Sequence, residues 1–196
     1  MTVFYKTSRS VFYTFEIKNA MKNVVFILCL FISSLALAQA PASPKATVQE
    51  KMKAFDWITG KWQGQGWISM GPGQKHTFTQ TEQVQYKLDN TLLQIEGQGK
   101  NGDQTIHDAL ALITYDAGKG NYTFHSYTAE GRFQTNADVT VEDKKFIWQM
   151  NGNPSRRIRY TIWLNDKKQW EEIGEMSTDN GQTWTKFFEM KLDKVK

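Results

Sequence analysis

Residues 77–86 read TFTQTEQVQY, and this stretch decides the fold. One face of the alternation holds only Thr and Gln, and the other holds Phe78, Gln80, Glu82, Val84 and Tyr86. A period of two is typical of a β-strand with one buried face. Burying the face that carries the apolar residues removes far more apolar surface from water than burying the Thr/Gln face. The pattern therefore predicts that Gln80 and Glu82 point into the interior.

The same alternation continues through the chain after Gly60, where short sequences rich in Gly, Asn and Asp separate ten predicted strands. The predicted strands span about residues 61–70, 75–88, 91–99, 106–116, 120–129, 132–141, 144–150, 156–165, 168–177 and 182–192. Such short turns join antiparallel neighbours, and a meander of hairpins removes its exposed edges by closing on itself. The sequence therefore predicts an all-β fold, a ten-stranded antiparallel up-and-down barrel with one short N-terminal helix.

That helix is predicted from a recurrence of apolar residues at spacings of three and four, at Val48, Met52 and Phe55. Thr47, with Glu50 three residues later, forms a capping-box sequence. We therefore expect the helix to begin at Thr47 and to end near Ile58.

The first 46 residues are interpreted as export and linker segments. Met21-Lys22-Asn23 is short and basic, residues 24–37 are almost continuously apolar, and Ala36-Leu37-Ala38 supplies the small residues of a cleavage site. These are the three parts of a secretory signal peptide. The predicted organisation is an upstream extension at 1–20, a signal peptide at 21–38, a tether at 39–46 and a barrel domain at 47–196. Cleavage near Ala38 or Ala40 delivers the mature domain to the periplasm or outside the cell.

The net charge of +4 does not point to a nucleic-acid partner. Four basic residues and one acidic residue lie in the first 38 positions: Lys6, Arg9, Lys18, Lys22 and Glu16. The remaining chain is close to neutral, and binding to a polyanion requires a positive surface. The apolar run at 24–37 is also too short for a comfortable membrane span. We therefore expect no nucleic-acid partner and no stable membrane insertion of the mature domain.

Residues 60–66 read GKWQGQG at the start of the first predicted strand. The motif residues are Gly60, Trp62, Gly64 and Gly66. This Gly-x-Trp-x-Gly-x-Gly sequence resembles the opening of calycin barrels (lipocalins, fatty-acid-binding proteins and nitrobindin-like proteins), and most closely an uncharacterised family of bacterial exported domains. The resemblance covers about residues 53–193 and implies a barrel around a cavity. It also implies that a basic residue of the last strand covers a buried Trp62, and Lys191 is the nearest candidate.

The resemblance also bears on cofactors. Nitrobindin-like proteins bind haem through a histidine on a late strand, and the last predicted strand here contains none. The three histidines, His76, His107 and His125, lack the His-x-His or His-x₃-His spacing of a zinc site. We therefore predict no haem, no metal and no other cofactor, and we assign no catalytic residue.

Residues 177–184 read STDNGQTW and match the Asp-box sequence Ser-x-Asp-x-Gly-x-Thr-Trp of sialidase propellers. Sialidases carry several such boxes, whereas this chain has one. Asp179 suits capping of its own turn, Gly181 suits a positive φ, and Trp184 suits anchoring of the following strand. The motif therefore predicts a rigid hairpin rather than a site. A nearby basic stripe is predicted to face solvent: Arg157 and Arg159.

Two acidic residues fall on otherwise apolar faces. Glu82 shares the inward face of residues 77–86, and Glu172 shares a face with Trp170. A buried carboxylate without a partner costs several kcal/mol or gives up its charge, so each needs a hydrogen-bond partner, water or a ligand. We interpret them as polar anchors in a mostly apolar cavity; the alternative is a water-filled interior without a specific ligand. The predicted ligand-binding residues are Gln80, Glu82, Phe124, Trp148, Tyr160 and Glu172.

The leading hypothesis is an exported barrel that binds a small apolar or amphipathic molecule in its interior. A first rival is a hydrolase or isomerase that uses the cavity carboxyl groups, which requires Glu82 and Glu172 to face each other. A second rival is a protein-interaction module without a small ligand, in which Trp67 and Trp163 form an exposed patch. No nucleophile elbow, glycine-rich phosphate loop or Cys–His pair favours another enzyme class.

Overall fold

The computed structural model describes residues 43–71, 73–153 and 156–196. The predicted upstream extension, the signal peptide and the first part of the tether lie outside the described residues. Within the described part, a short helical segment precedes ten strands. No helix in this part of the chain has the length and apolar character needed to cross a membrane.

The helix begins earlier than its capping-box sequence predicts. Helix α1 spans Pro44–Met52 and continues as a 3₁₀ helix over Lys53–Ile58. Ser43 is the N-cap, and its hydroxyl accepts a hydrogen bond from the backbone N–H three residues later at 3.2 Å. Pro44 suits the first helical position because its fixed φ is helical and an N–H there would lack an intrahelical partner. The predicted start at Thr47 is therefore wrong, and the last residues of the predicted tether are helical.

The strands are β1 Gly60–Gly71, β2 Gln74–Lys87, β3 Leu92–Asn101, β4 Gln104–Asp116, β5 Asn121–Thr128, β6 Phe133–Glu142, β7 Lys145–Asn153, β8 Arg156–Leu164, β9 Trp170–Ser177 and β10 Thr185–Lys194. Each strand pairs antiparallel with its neighbours in sequence, and β10 closes the barrel by pairing with β1. The predicted ten-stranded antiparallel up-and-down barrel is confirmed. In this register Trp62 lies opposite Lys194 on one side and Glu82 on the other.

The helical segment covers one end of the barrel, which we call the closed end. Phe55 is fully buried and packs edge-to-face on Tyr122 and on Phe146, with ring centroids 5.4 Å apart in each pair. The Tyr122 hydroxyl donates a hydrogen bond of 2.8 Å to Lys51 O, which ties the helix to the barrel rim. Among the described residues no helix covers the opposite end, which we call the open end.

Candidate binding site

Gln80 and Glu82 lie inside the barrel on β2. Their exposed fractions are 4% and 8%, in a strand whose burial alternates with a period of two. Gln80 Nε2 donates a hydrogen bond of 2.7 Å to Glu82 Oε1. The inward face predicted for residues 77–86 is therefore the observed one, and it carries both polar residues into the interior.

Two glycines on β3 leave space for the Gln80 and Glu82 side chains. Gly97 pairs with Glu82, and Gly99 pairs with Gln80. A Cβ atom at Gly97 would lie only 2.6 Å from Glu82 Oε1, and a Cβ atom at Gly99 only 2.7 Å from Gln80 Oε1. The two polar side chains therefore lie flat on the glycine backbone of the neighbouring strand. Sequence reasoning missed these glycines, although they follow the buried Ile95 at a period of two.

Glu172 enters the same interior from β9. It pairs with Ile162 on β8 and with Met190 on β10, both of which are buried. Trp170 Nε1 donates a hydrogen bond of 3.3 Å to Glu172 Oε2. Burial raises the pKa of Glu172 to about 8, and the hydrogen bond from Trp170 opposes this rise. The group therefore holds its proton over much of the neutral range.

Burial also favours the protonated form of Glu82. Burial raises its pKa well above the ordinary value, the hydrogen bond from Gln80 opposes the rise, and the charge of Glu172 adds to it. Among the described residues, no ion pair reaches either carboxyl group. Within the described part of the chain, the Glu82 and Glu172 carboxyl groups thus face the interior, interact electrostatically and lack a paired cation.

An aromatic wall formed by strands β5, β7 and β8 lines another part of the interior. The rings of Phe124, Trp148 and Tyr160 stack in sequence, with centroids 4.5 Å apart and planes 13° apart at each step. Trp148 pairs directly with Tyr160, whereas Phe124 pairs with Ala137 on the intervening β6, and its ring reaches Trp148 across that strand. The stack runs across the strands rather than into the interior, so its nearly parallel rings present their edges to the interior. The three aromatic residues predicted for the site are therefore brought together.

A β-bulge on β10 extends this aromatic wall. The register between β9 and β10 shifts between Lys186 and Phe188. Because the bulge breaks the alternation, the successive residues Phe187 and Phe188 both contact Tyr160, at 5.9 Å and 5.8 Å between ring centroids. A strict period of two places only one of these rings inside, so sequence reasoning missed the second.

Tyr160 and Glu172 face the interior from β8 and β9. Both residues are only half-buried although their strands turn them inward. Burial raises the pKa of the Tyr160 hydroxyl, and the charge of Glu172 raises it further. The six predicted ligand-binding residues therefore all lie on the inner wall, and their role in binding stays a prediction.

Trp62 lies at the closed end, as the resemblance implies. The residue is 2% exposed, and its Nε1 donates a hydrogen bond of 2.7 Å to Ile58 O at the end of the helical segment. The cation over the ring is Lys194, with Nζ 5.2 Å from the centroid. Lys191 instead forms an ion pair with Glu171 at 3.1 Å, so the assignment of Lys191 as the cover is wrong. Lys194 lies opposite Trp62 because β10 runs to that residue.

The Asp-box sequence forms a local turn, as predicted. Asp179 accepts hydrogen bonds from Ser177 Oγ at 2.7 Å and from Thr183 N at 2.8 Å. Hydrogen bonds from Thr183, then from Ser177, lower the pKa of Asp179 to about 2. Gly181 has a φ of 91°, and Trp184 Nε1 donates to its carbonyl oxygen at 3.1 Å. The motif stabilises a hairpin and contributes nothing to the interior site.

Ion pairs and cations over aromatic rings cover part of the outer surface. Arg159 Nε lies 2.8 Å from Glu175 Oε2, and its guanidinium group lies 3.9 Å from the centroid of the Trp184 ring. Trp67 and Trp163 are half-buried, and Lys75 Nζ lies 3.6 Å from the Trp67 ring centroid. These two tryptophans do not form the exposed patch that the interaction-module hypothesis requires.

Metal or haem binding would require suitable ligands among the side chains of the described residues. No group of three or more His, Cys, Asp or Glu side chains among them is placed to hold a metal ion. Strand β10 carries no histidine, so the residues present do not fit haem ligation by a late-strand histidine.

Comparison with known proteins shows the fold and no closer relationship. No protein-family model matches the chain, and no curated protein matches its sequence. Rv2717c from M. tuberculosis is 9% identical, with a TM-score of 0.53 over 74% of this chain and 97% of its own. The S-type phycobiliprotein lyase CPES from Guillardia theta is 10% identical, with a TM-score of 0.52 over 80% of this chain and 99% of its own. The fold is that of a calycin-like barrel.

Proposed function

We propose that this calycin-like barrel binds one small amphipathic molecule in its interior. The observation that carries the proposal is the Gln80–Glu82 pair, which is almost fully buried and lies on two glycines inside the barrel. A buried carboxyl group without a charged partner costs stability or gives up its charge. Groups with strongly perturbed pKa values cluster at functional sites, so this unfavourable placement supports a binding role.

The interior has an aromatic wall and a wall with two carboxyl groups, so the proposed ligand has an apolar part and a polar group. Its apolar part packs on Phe124, Trp148 and Tyr160, and its polar group binds near Glu82 and Glu172. Pockets of this kind are mostly apolar, with a few polar groups that fix orientation. One structural neighbour is named a phycobiliprotein lyase, and this supports small-ligand binding only at the level of the fold.

Native mass spectrometry of the protein purified from its own host tests the proposal. We expect a complex whose mass exceeds that of the chain by one small molecule, and we expect denaturation to release that molecule. The variant Glu82→Gln should retain less of it, whereas the outward-facing control Glu96→Gln should retain as much as the parent. A clean ligand-free mass, together with no uptake of the neutral dye Nile red, contradicts the proposal.

A second candidate function is proton-transfer catalysis by the same carboxyl groups. It is favoured by the electrostatic effect of Glu172 on Glu82, because two coupled carboxyl groups are suited to acid and base roles. The released molecule, returned to purified protein, would then be chemically converted. Glu82→Gln and Glu172→Gln would each abolish the conversion. Recovery of the unchanged molecule contradicts this candidate and leaves the binding proposal intact.

We also propose that the protein is exported, with Met21 as the first residue of the signal peptide. The support is the sequence of the leader, which lies outside the described residues. N-terminal sequencing of the mature protein recovered from the periplasm or the medium should begin near Gln39 or Pro41. Recovery of a cytoplasmic protein that retains Met1 contradicts export.

A further inference from the structure

Among the described residues, no positively charged side chain lies beside the two interior carboxyl groups. In the described strands, Glu82 and Glu172 face the interior, whereas the cations that share the inward parity lie at the two ends. Lys194 covers Trp62 at the closed end, and Arg156 Nε donates to Met176 Sδ at 3.1 Å at the open end. The other titratable side chains that share the inward parity are Tyr160, which is half-buried, and His76 and His107, which are exposed near the open end.

The walls near these carboxyl groups also have a defined shape. Strands β4 and β5 turn small side chains inward, at Ala109, Ala111 and Ser126. The aromatic wall presents the edges of its rings to the interior. Ring edges carry positive partial charge and attract the electron-rich face of another aromatic ring. The interior therefore suits a flat ring that lies across the edges of Phe124, Trp148 and Tyr160.

We infer that the ligand is a flat aromatic amine whose protonated nitrogen is bound by the Glu82 and Glu172 carboxyl groups. This inference rests on the proposed function and narrows its ligand. An ammonium group supplies the charge that the interior lacks and donates hydrogen bonds to carboxylate oxygens, and charge-assisted hydrogen bonds are the strong ones. The ring occupies the space between the aromatic edges and the small side chains.

The same geometry disfavours an anionic ligand. A carboxylate headgroup, as in a fatty acid, would lie beside two acidic side chains with no Arg or Lys of the described strands to bind it. Like charges at close range in a medium of low dielectric constant are strongly unfavourable. A neutral alcohol is not repelled by the carboxylates, but it also lacks the electrostatic attraction that an ammonium group has for them.

Binding of an amine changes the number of protons on the protein. The raised pKa values of Glu82 and Glu172 mean that the ligand-free site holds protons at neutral pH. When the ammonium ion binds, a carboxyl group loses its proton to solvent and becomes the anion of the ion pair. The amine keeps its own proton, so charge balances with release of about one proton for each carboxylate formed.

Three probes that share a naphthalene ring test the inference: 2-naphthylmethylamine, 2-naphthylmethanol and 2-naphthylacetate. Isothermal titration calorimetry at pH 7, in phosphate and in Tris, gives both affinity and proton release. We expect the amine to bind at least tenfold more tightly than the alcohol, and the acetate to bind most weakly. We also expect the measured enthalpy for the amine to differ between the two buffers because a proton is released.

Matched variants test whether the preference for the amine depends on the two interior carboxyl groups. Glu82→Gln and Glu172→Gln keep the side-chain shape, and each should reduce the preference for the amine over the alcohol at least tenfold. Glu96→Gln makes the same change on the outer face of β3 and should leave the preference unaltered. Near-ultraviolet circular dichroism establishes that each variant is folded, and the ranking of probes on the parent protein does not depend on the variants.

The outcomes distinguish this inference from the proposed function. Equal or tighter binding of the alcohol or the acetate overturns the amine inference and leaves interior binding in place. Uptake of Nile red without binding of the amine likewise overturns the amine inference and leaves interior binding in place. If neither the three probes nor Nile red bind, both the inference and the proposed function fail.

Discussion

Two Gln-x-Glu pairs lie on neighbouring strands of the barrel, one facing inward and one facing outward. Gln80 Nε2 donates to Glu82 Oε1 on β2, and Gln94 Nε2 donates to Glu96 Oε1 on β3, each at 2.7 Å. The local sequence and the hydrogen bond are the same. Glu82 is 8% exposed, whereas Glu96 lies in solvent. What differs is which face of the strand is buried.

This difference shows how burial, rather than the motif, gives a carboxyl group its properties. The outer pair is solvated, and such surface pairs contribute little to stability. The inner pair is desolvated, and desolvation is the largest cause of the raised pKa of Glu82. Ionisation of the inner pair is therefore unfavourable, and under our proposal a cationic ligand offsets that cost.

The largest expected effect comes from removing the ring beside the inner pair. Trp62 lies opposite Glu82 and is 2% exposed, so Trp62→Ala should lower the free energy of unfolding by about 3–5 kcal/mol. Trp163→Ala, which removes a half-buried ring from the outer face, should cost clearly less. Denaturant unfolding measures both. Equal losses, or a Trp62→Ala melting temperature within a degree or two of the parent, would show that the closed end does not depend on this ring.

A smaller effect is expected from adding one methyl group beneath the inner pair. In Gly97→Ala the new Cβ would lie 2.6 Å from Glu82 Oε1, and overpacking of this kind costs about 1–3 kcal/mol. Gly71→Ala is the control because no heavy atom lies within 4 Å of its added Cβ. A second change, Glu82→Ala, removes the clash, so the double-mutant cycle should show coupling between the two sites. Additive losses contradict the contact between Glu82 and the glycine backbone.

The smallest effect is a dependence of stability on pH. An unfolded glutamate titrates near 4.5, whereas Glu172 in the folded protein titrates near 8, so the folded state holds an extra proton between these values. The free energy of unfolding therefore falls as pH rises through this window, by at most about 1.4 kcal/mol per pH unit for one group. Glu172→Gln and Glu82→Gln should each flatten this fall and stabilise the protein at pH 8. Glu96→Gln should change stability by less than about 0.5 kcal/mol, as is usual for surface positions. Parallel pH profiles for the parent and the two inner variants contradict the prediction.

Much of the inner wall could be predicted because a period of two is a strong constraint where one face is buried. It placed Gln80, Glu82, Trp148, Tyr160 and Glu172 on the inner face, and the register confirms each position. The same alternation through Met190 and Leu192 also indicates Lys194, rather than Lys191, as the residue that faces Trp62. That error came from ending the last strand too early.

Other features depend on contacts between strands, which one sequence does not encode locally. The bulge at Phe187 breaks the alternation and adds an aromatic ring to the interior. The opposition of Gly97 to Glu82 depends on the register between β2 and β3. The helix start was missed for a different reason, because Ser43 and Pro44 supply a cap earlier than Thr47 does.

The central claim is that Glu82 and Glu172 are desolvated carboxyl groups without a paired cation, and nuclear magnetic resonance tests it most directly. Side-chain ¹³C resonances of labelled glutamate are followed from pH 3 to pH 10 in the ligand-free protein, and Glu82→Gln and Glu172→Gln assign the two signals by their loss. We expect Glu172 to titrate near pH 8 and Glu82 well above its ordinary value. Titration of both groups below about pH 5, the range of a solvated glutamate, would contradict the account.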